Sequence, residues 1–404
     1  MPRVTSMHRS IIIAASLIVL LGLSVAAYFY FFSSAPSTTA PITTSGLPVA
    51  GPGSAPTGSS EQVPPSSAPG APVPVGARLV KISAGPVVPG EVIVTKTGTA
   101  STSPESVVSY IERQSGNVFT YSSFTKTTTR VSNKTLPGIQ SASWLPDASV
   151  AFVRYLSGAD FSTINTYALP INGSAGFFLP QNLSDIGVSS TGLLTLVSGV
   201  NGSVVSLLRT DGSRSSSVFT TPLSSIRIAF AGKQYLAYTK PSSRLPGNAF
   251  LIDGAGHPSR IAGPLDGLAA LASPSGKWLL VSYISGDAMQ LEVVNVSTNE
   301  SIALPIATIV DKCVWAQNDS SIYCGVPVDP PTDAAYPDDW YQGAVHFSDR
   351  IWRIDVSSRY AQLVLDFSAE TKISLDAEAL SIDPSSLILA FVNRNDGSLW
   401  SYAL

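Results

Sequence analysis

Six hairpin signatures recur along the chain, and their spacing limits the possible folds more than any other feature. Each is an apolar run, a tight turn built from Pro, Asp, Asn, Ser or Gly, and a second apolar run. They start at Trp144, Val188, Ile228, Ala272, Trp315 and Ile382, so successive starts lie 44, 40, 44, 43 and 67 residues apart. No segment keeps a helical period over about 12 residues. Four near-equal intervals match a four-stranded propeller blade, which takes about 40–45 residues. The fifth interval equals one blade plus about 24 residues, an excess that coincides with the irregular stretch 327–350.

One period upstream of Trp144, the runs Val92–Thr95, Val107–Arg113, Val118–Ser122 and Thr127–Ser132 supply another blade. The expected fold is therefore all-β, a seven-bladed β-propeller over 78–404. Rings of six or eight blades, and a pair of β-sandwiches, are the alternatives. The last blade, 376–403, shows only three strands. Arg78–Ile82 is the expected fourth, which would close the ring and remove an open edge.

Residues ahead of the repeats read differently. Ile11 to Phe32 is a stretch of 22 residues without a charge. At about 1.5 Å per residue a helix of that length spans about 33 Å, enough for a bilayer core. Arg3 and Arg9 precede it and the next basic residue is Arg78, which places residues 1–10 in the cytoplasm and the remainder outside. A cleaved signal peptide is the competing reading; against it, the best small-residue site, Ser34-Ala35, is followed by Pro36. Residues 33–77 are built mainly from Ser, Thr, Pro, Ala, Gly and Val with Glu61 the only charge, and this composition reads as a linker. The expectation is a single-pass protein of the cell membrane, anchored at 11–32, with its propeller extracytoplasmic.

The hairpin Trp144-Leu-Pro-Asp-Ala-Ser-Val-Ala-Phe152 resembles the repeat of TolB-type, WD-like bacterial propellers, and the copies at Ala272, Trp315 and Ile382 are similar. The resemblance implies a propeller over most of 79–404 and specifies fold more than function. Propellers of this type also accompany the hydrolase domain of prolyl-oligopeptidase-like peptidases, but no Gly-x-Ser-x-Gly elbow occurs here. Membership of the Tol system is not implied, because an anchor and linker stand where TolB has its N-terminal domain.

Composition removes several function classes. Only 13% of residues are charged and the net charge is −3, whereas nucleic-acid binding needs a basic face. Three His (His8, His257, His346) and two Cys cannot supply a structural zinc site of ordinary spacing, and no cofactor motif is present. The seven Asn-x-Ser/Thr sites, from Asn133 to Asn318, would be glycosylation candidates only in a eukaryotic cell. Cys313 and Cys324 flank a hairpin centred on Asn318-Asp319. With a two-residue turn they face each other directly, within reach of a disulfide, which an extracytoplasmic location permits. Two buried thiols are the alternative.

The 327–350 insertion concentrates Asp329, Asp333, Asp338, Asp339 and Asp349 with Tyr336, Trp340, Tyr341, His346 and Phe347. Tyr336, Asp338, Asp339, Trp340, Tyr341 and His346 are the candidate binding residues, since aromatic faces beside carboxylates suit a protein partner or a sugar. Calcium is conceivable there, though the spacing matches no EF-hand loop, so no metal ligand is assigned. In the competing reading Trp340 and Tyr341 fold back as a lid while the aspartates cap turns. With no catalytic motif in view, the expected function is a non-enzymatic protein-binding or scaffolding module of the cell envelope. The alternatives are a glycan- or cell-wall-binding propeller, or a hydrolase- or lactonase-type enzyme using the central channel.

Overall fold

A computed structural model describes residues 77–97, 104–132, 134 and 136–404. The anchor and linker expected at 11–32 and 33–77 lie outside the described residues, apart from residue 77. Among the described residues no helix is long and apolar enough to cross a membrane.

Nearly all regular structure is antiparallel sheet. The short strand β1 (Leu79–Lys81) precedes a first sheet of β2 (Val92–Thr97), β3 (Pro104–Ile111), β4 (Val118–Ser122) and β5 (Thr128–Arg130). A second sheet holds β6 (Ile139–Trp144), β7 (Val150–Ser157), β8 (Thr163–Pro170) and β9 (Phe177–Phe178). A third holds β10 (Asp185–Ser189), β11 (Gly192–Gly199), β12 (Gly202–Leu208) and β13 (Ser216–Thr221). Next comes a fused, seven-stranded sheet of β14 (Ile226–Ala231), β15 (Gln234–Thr239), β16 (Pro246–Ile252), β17 (Pro258–Ala272), β18 (Trp278–Ser285), β19 (Ala288–Asn295) and β20 (Ser301–Ala303). The insertion sheet is β21 (Cys313–Trp315), β22 (Ser321–Pro327), β23 (Asp349–Asp355) and β24 (Ala361–Asp366). A closing sheet contains β25 (Ala377–Ile382), β26 (Ile388–Asn393) and β27 (Leu399–Ala403), with β1 added at its outer edge.

The first strands of neighbouring sheets lie against one another, β6 with β10, β10 with β14, β21 with β25 and β25 with β2. That arrangement of consecutive four-stranded units around their first strands is a β-propeller. Strand β1 pairs with β27, Leu79 opposite Tyr402, so the two ends of the described chain share one sheet and its outer edge is filled. Apolar residues alternate along the inner strands and pack between sheets; Phe152, Leu194, Leu280 and Phe391 are fully buried.

The hairpin at Cys313 keeps the expected register with a different turn. Cys313 faces Cys324, Val314 faces Tyr323 and Trp315 faces Ile322. The connection runs further than two residues: Ala316 N–H donates to Ser321 and Asp319 N–H to Ala316, with Asp319 at φ 59°. Both loops are centred on Asn318-Asp319, so the cysteines stay opposed, 4.1 Å apart at Cα, and form a disulfide. Closing a loop of this length is worth about 3 kcal/mol through the unfolded chain. The double variant Cys313→Ala/Cys324→Ala is therefore expected to melt several degrees lower than the parent in calorimetry. An unchanged melting temperature would show that the bridge contributes nothing.

Candidate functional site

The 327–350 insertion connects β22 to β23 and folds inward. At its centre a four-residue helix, α1 (Asp338–Tyr341), places Trp340 against the propeller with 2% of its surface exposed. Beneath Trp340 lies Lys312, whose ammonium is fully buried. Lys312 bonds Asp349 at 2.8 Å, Asp376, and the carbonyl of Ala377 at 3.0 Å. Its charge also sits 5.1 Å from the ring centres of both Trp340 and Phe347, which are stacked 9° from parallel. A buried cation needs this many partners, because water no longer solvates it. Asp376 in turn accepts from Trp340 Nε1 and Phe347 N–H. Gly325 lets Asp349 come this close: a Cβ there would meet Asp349 Oδ2 at 3.0 Å and Ala377 Cβ at 3.2 Å.

The insertion is also fastened at its rim. Asp338 accepts from the backbone N–H and hydroxyl of Ser243, at 3.0 and 2.7 Å, in the β15–β16 connection. Arg394, in the β26–β27 connection, bonds Glu378 at 2.6 Å, donates to the carbonyls of Trp340 and Tyr341, and lies 4.6 Å from the Trp340 ring centre. Arg227 on β14 bonds Asp311 at 2.9 Å and lies 5.3 Å from the Tyr341 ring centre. At Gly267, φ +64°, a Cβ would stand 2.9 Å from Pro337 Cδ. The insertion thus reaches from the fused sheet to the closing sheet and covers that side of one channel mouth.

The six candidate binding residues are divided by this arrangement. Tyr336 and Trp340 are buried, and Tyr336 donates its hydroxyl to the carbonyl of Pro331. Asp338 is engaged by Ser243, and Asp339 accepts from Ala335 N–H within its own loop. Tyr341 is half-buried beneath Arg227, and His346 stands at the solvent edge, 3.9 Å from Asp376. Among the described residues no group of three or more His, Cys, Asp or Glu is arranged to hold a metal.

Sequence reasoning passed over the partners that hold the insertion. Asp185, Arg227 and Asp311 stand within two residues of the starts of β10, β14 and β21, and are spaced 42 and 84 residues apart, one and two repeats. Glu91 and Asp376 occupy the same place before β2 and β25. The available signal was the phase of charges within the repeat.

Glu91 differs from the others. Its carboxyl is buried, and neither oxygen has a hydrogen-bond partner among the described residues. Burial raises its pKa well above the usual range, and the charge of Glu378 adds to the rise. Asp349 is pushed up to about 6, by burial first, with Lys312 pulling it back. A carboxyl with a raised pKa holds more protons folded than unfolded, so its contribution is fully present below about pH 4 and is lost as pH rises through the raised value. Glu91→Gln is therefore expected to melt higher than the parent at pH 8, and level with it at pH 4. A lower melting temperature at pH 8 would show Glu91 to be a stabilising carboxylate.

The opposite end of the channel is open. There the β10–β11, β14–β15 and β17–β18 turns surround a cavity of about 470 Å³, lined by Ser189, Ser190, Thr191, Phe230, Ser273 and Trp315 among others. No charged side chain lines it. Ser189 and Thr191 share a hydroxyl hydrogen bond of 2.8 Å, and Trp315 is anchored by donating Nε1–H to Leu271. A second cavity, about 540 Å³, lies beside the insertion and is walled largely by Pro305, Ile306, Pro330, Pro331 and Trp352. Its Arg350 is already paired with Asp366 at 2.7 Å.

No protein-family model matches the sequence, and comparison with curated proteins finds no match. Solved structures do match. An oligogalacturonate lyase from Vibrio parahaemolyticus is 8% identical at TM-score 0.54, covering 82% of this chain and 94% of that one. An oligogalacturonate lyase in complex with manganese is 11% identical at TM-score 0.51, covering 79% and 98%. The propeller domain of the Trilobed protease from Pyrococcus furiosus, described as having an open velcro topology, is 9% identical at TM-score 0.51, covering 78% and 95%. TolB from Acinetobacter baumannii also matches, 12% identical at TM-score 0.44 over 63% of this chain and 62% of that one. The chain is a β-propeller whose hairpins resemble the TolB-type repeat. The expectation of a non-enzyme is corrected: this fold carries a lyase, so the lack of a hydrolase motif is no argument against catalysis.

Proposed function

We propose that the protein is a membrane-tethered, extracytoplasmic propeller of seven blades that takes a neutral glycan at the open end of its central channel. The blade count treats the fused sheet as two blades sharing β17. The observation that carries the glycan reading is the open cavity, where serine and threonine hydroxyls stand around Phe230, over the buried Trp315, without a charged group. Sugar rings present hydroxyls at their edges and C–H groups on their faces, so hydroxyl and aromatic walls meet both. The insertion favours this assignment over a protein-docking loop, because its aromatic residues are spent against Lys312 and Arg394. Turnover of the bound glycan is the second reading. The likeness of the fold to that of two oligogalacturonate lyases supports it, although no carboxylate lines the cavity.

Titration calorimetry of the purified chain against neutral cell-wall oligosaccharides tests the assignment. Phe230→Ala is expected to weaken binding about tenfold, or about 1.4 kcal/mol, without moving the melting temperature by more than a few degrees. Binding that survives Phe230→Ala but is lost with Trp340→Ala would return the site to the insertion.

A further inference from the structure

We propose that the half of the insertion-bearing face left uncovered docks onto a lipid bilayer, through apolar side chains on successive hairpin tips. This inference rests on the membrane-tethered part of the proposed function and is independent of the glycan assignment. The insertion is a connection between second and third strands, and it touches the equivalent connections at Ser243 and Arg394. Second-to-third connections therefore share one face of the propeller. In the second and third sheets these are the β7–β8 and β11–β12 tips, and in the fused sheet the β15–β16 and β18–β19 tips.

Three of these four tips carry a large apolar side chain in solvent, and the β18–β19 tip is Gly286-Asp287. Phe161 is 67% exposed, Val200 is fully exposed and Leu245 is 70% exposed. Leu223, in the connection between β13 and β14 on the same face, is exposed as well. Phe161 is held at φ 53°, a left-handed conformation that bulky residues rarely adopt and that Gly or Asn would take with less strain. The turn is closed by Phe161 N–H to Gly158 and by Ser162 on Asp160, so the ring points outward without serving the fold. Asp160 is the anionic group at that tip, engaged by Ser162. Lys240 and Arg244 flank the Leu245 tip and suit lipid phosphates.

The occupant follows from the rest of the chain. Ile11–Phe32 is long and apolar enough to span a bilayer as a helix, and the 45 residues between it and Arg78 can extend to about 150 Å. A tether of that length allows either face of the propeller to reach the same membrane, and it keeps the effective concentration of lipid high. Weak apolar tips are sufficient under that condition.

The test uses the full chain reconstituted in vesicles of phosphatidylcholine with phosphatidylglycerol. Asn201→Cys carries an environment-sensitive fluorophore beside Val200, and Ser190→Cys carries it at the opposite, open mouth. Headgroup-nitroxide lipids are expected to quench the Asn201 label several-fold more than the Ser190 label. The triple variant Phe161→Asp/Val200→Asp/Leu245→Asp is expected to bring the two labels level with no loss of melting temperature. Phe161→Asn is expected to melt no lower than the parent while quenching falls, which separates docking from folding. Equal quenching at both labels, or quenching unmoved by the triple variant, would overturn the proposal. Emission that follows dilution of the protein rather than lipid would overturn it in favour of a second copy.

Discussion

The arrangement of the site depends on one buried ammonium group. Lys312 is the last residue before β21, Asp349 opens β23, and Asp376 is the last residue before β25. A fully buried cation is tolerated only when opposite charge and hydrogen-bond acceptors replace its water. That requirement draws the insertion sheet, the end of the insertion and the closing sheet to one point. Trp340 and Phe347 then cover the cluster with their rings, each centred 5.1 Å from the ammonium. The pairing adds little net stability over an apolar core of the same shape; what it fixes is the place where the insertion lies.

Once the insertion is placed, the two ends of the channel become unlike. One end is partly covered by the insertion, which Lys312, Ser243 and Arg394 fasten to the propeller. The other presents hydroxyls and the partly exposed ring of Phe230, with Trp315 buried behind them. A propeller gains function by differentiating the loops at its two ends while leaving the sheets alone. Here the differentiation is carried by about two dozen residues between β22 and β23.

Much of the fold was legible in the sequence because hairpin turns leave a local mark. Pro-Asp and Ser-Gly turns recurred at one period, and the opposed cysteines followed from the centre of a single turn. The fused sheet was less visible. Gly263-Pro264 and Asp266-Gly267 look like turn residues, yet β17 continues through them with shifts of register. The insertion was legible as unusual, and its aromatic and acidic residues were singled out, but not the direction in which they face. That direction is set by Lys312, Asp376 and Arg394, which are distant in sequence and unremarkable one by one. Long-range pairing of isolated charges leaves no local pattern to read.

Hydrogen–deuterium exchange of the intact chain tests the central claim most directly. The backbone N–H groups of Phe347 and Asp349 donate to Asp376 and Leu375 within the buried assembly. If the Lys312 cluster holds the insertion as part of the propeller, these amides exchange as slowly as those of β21 and β25. Exchange of residues 335–349 at the rate of exposed loops, with β21 and β25 still protected, would contradict the account.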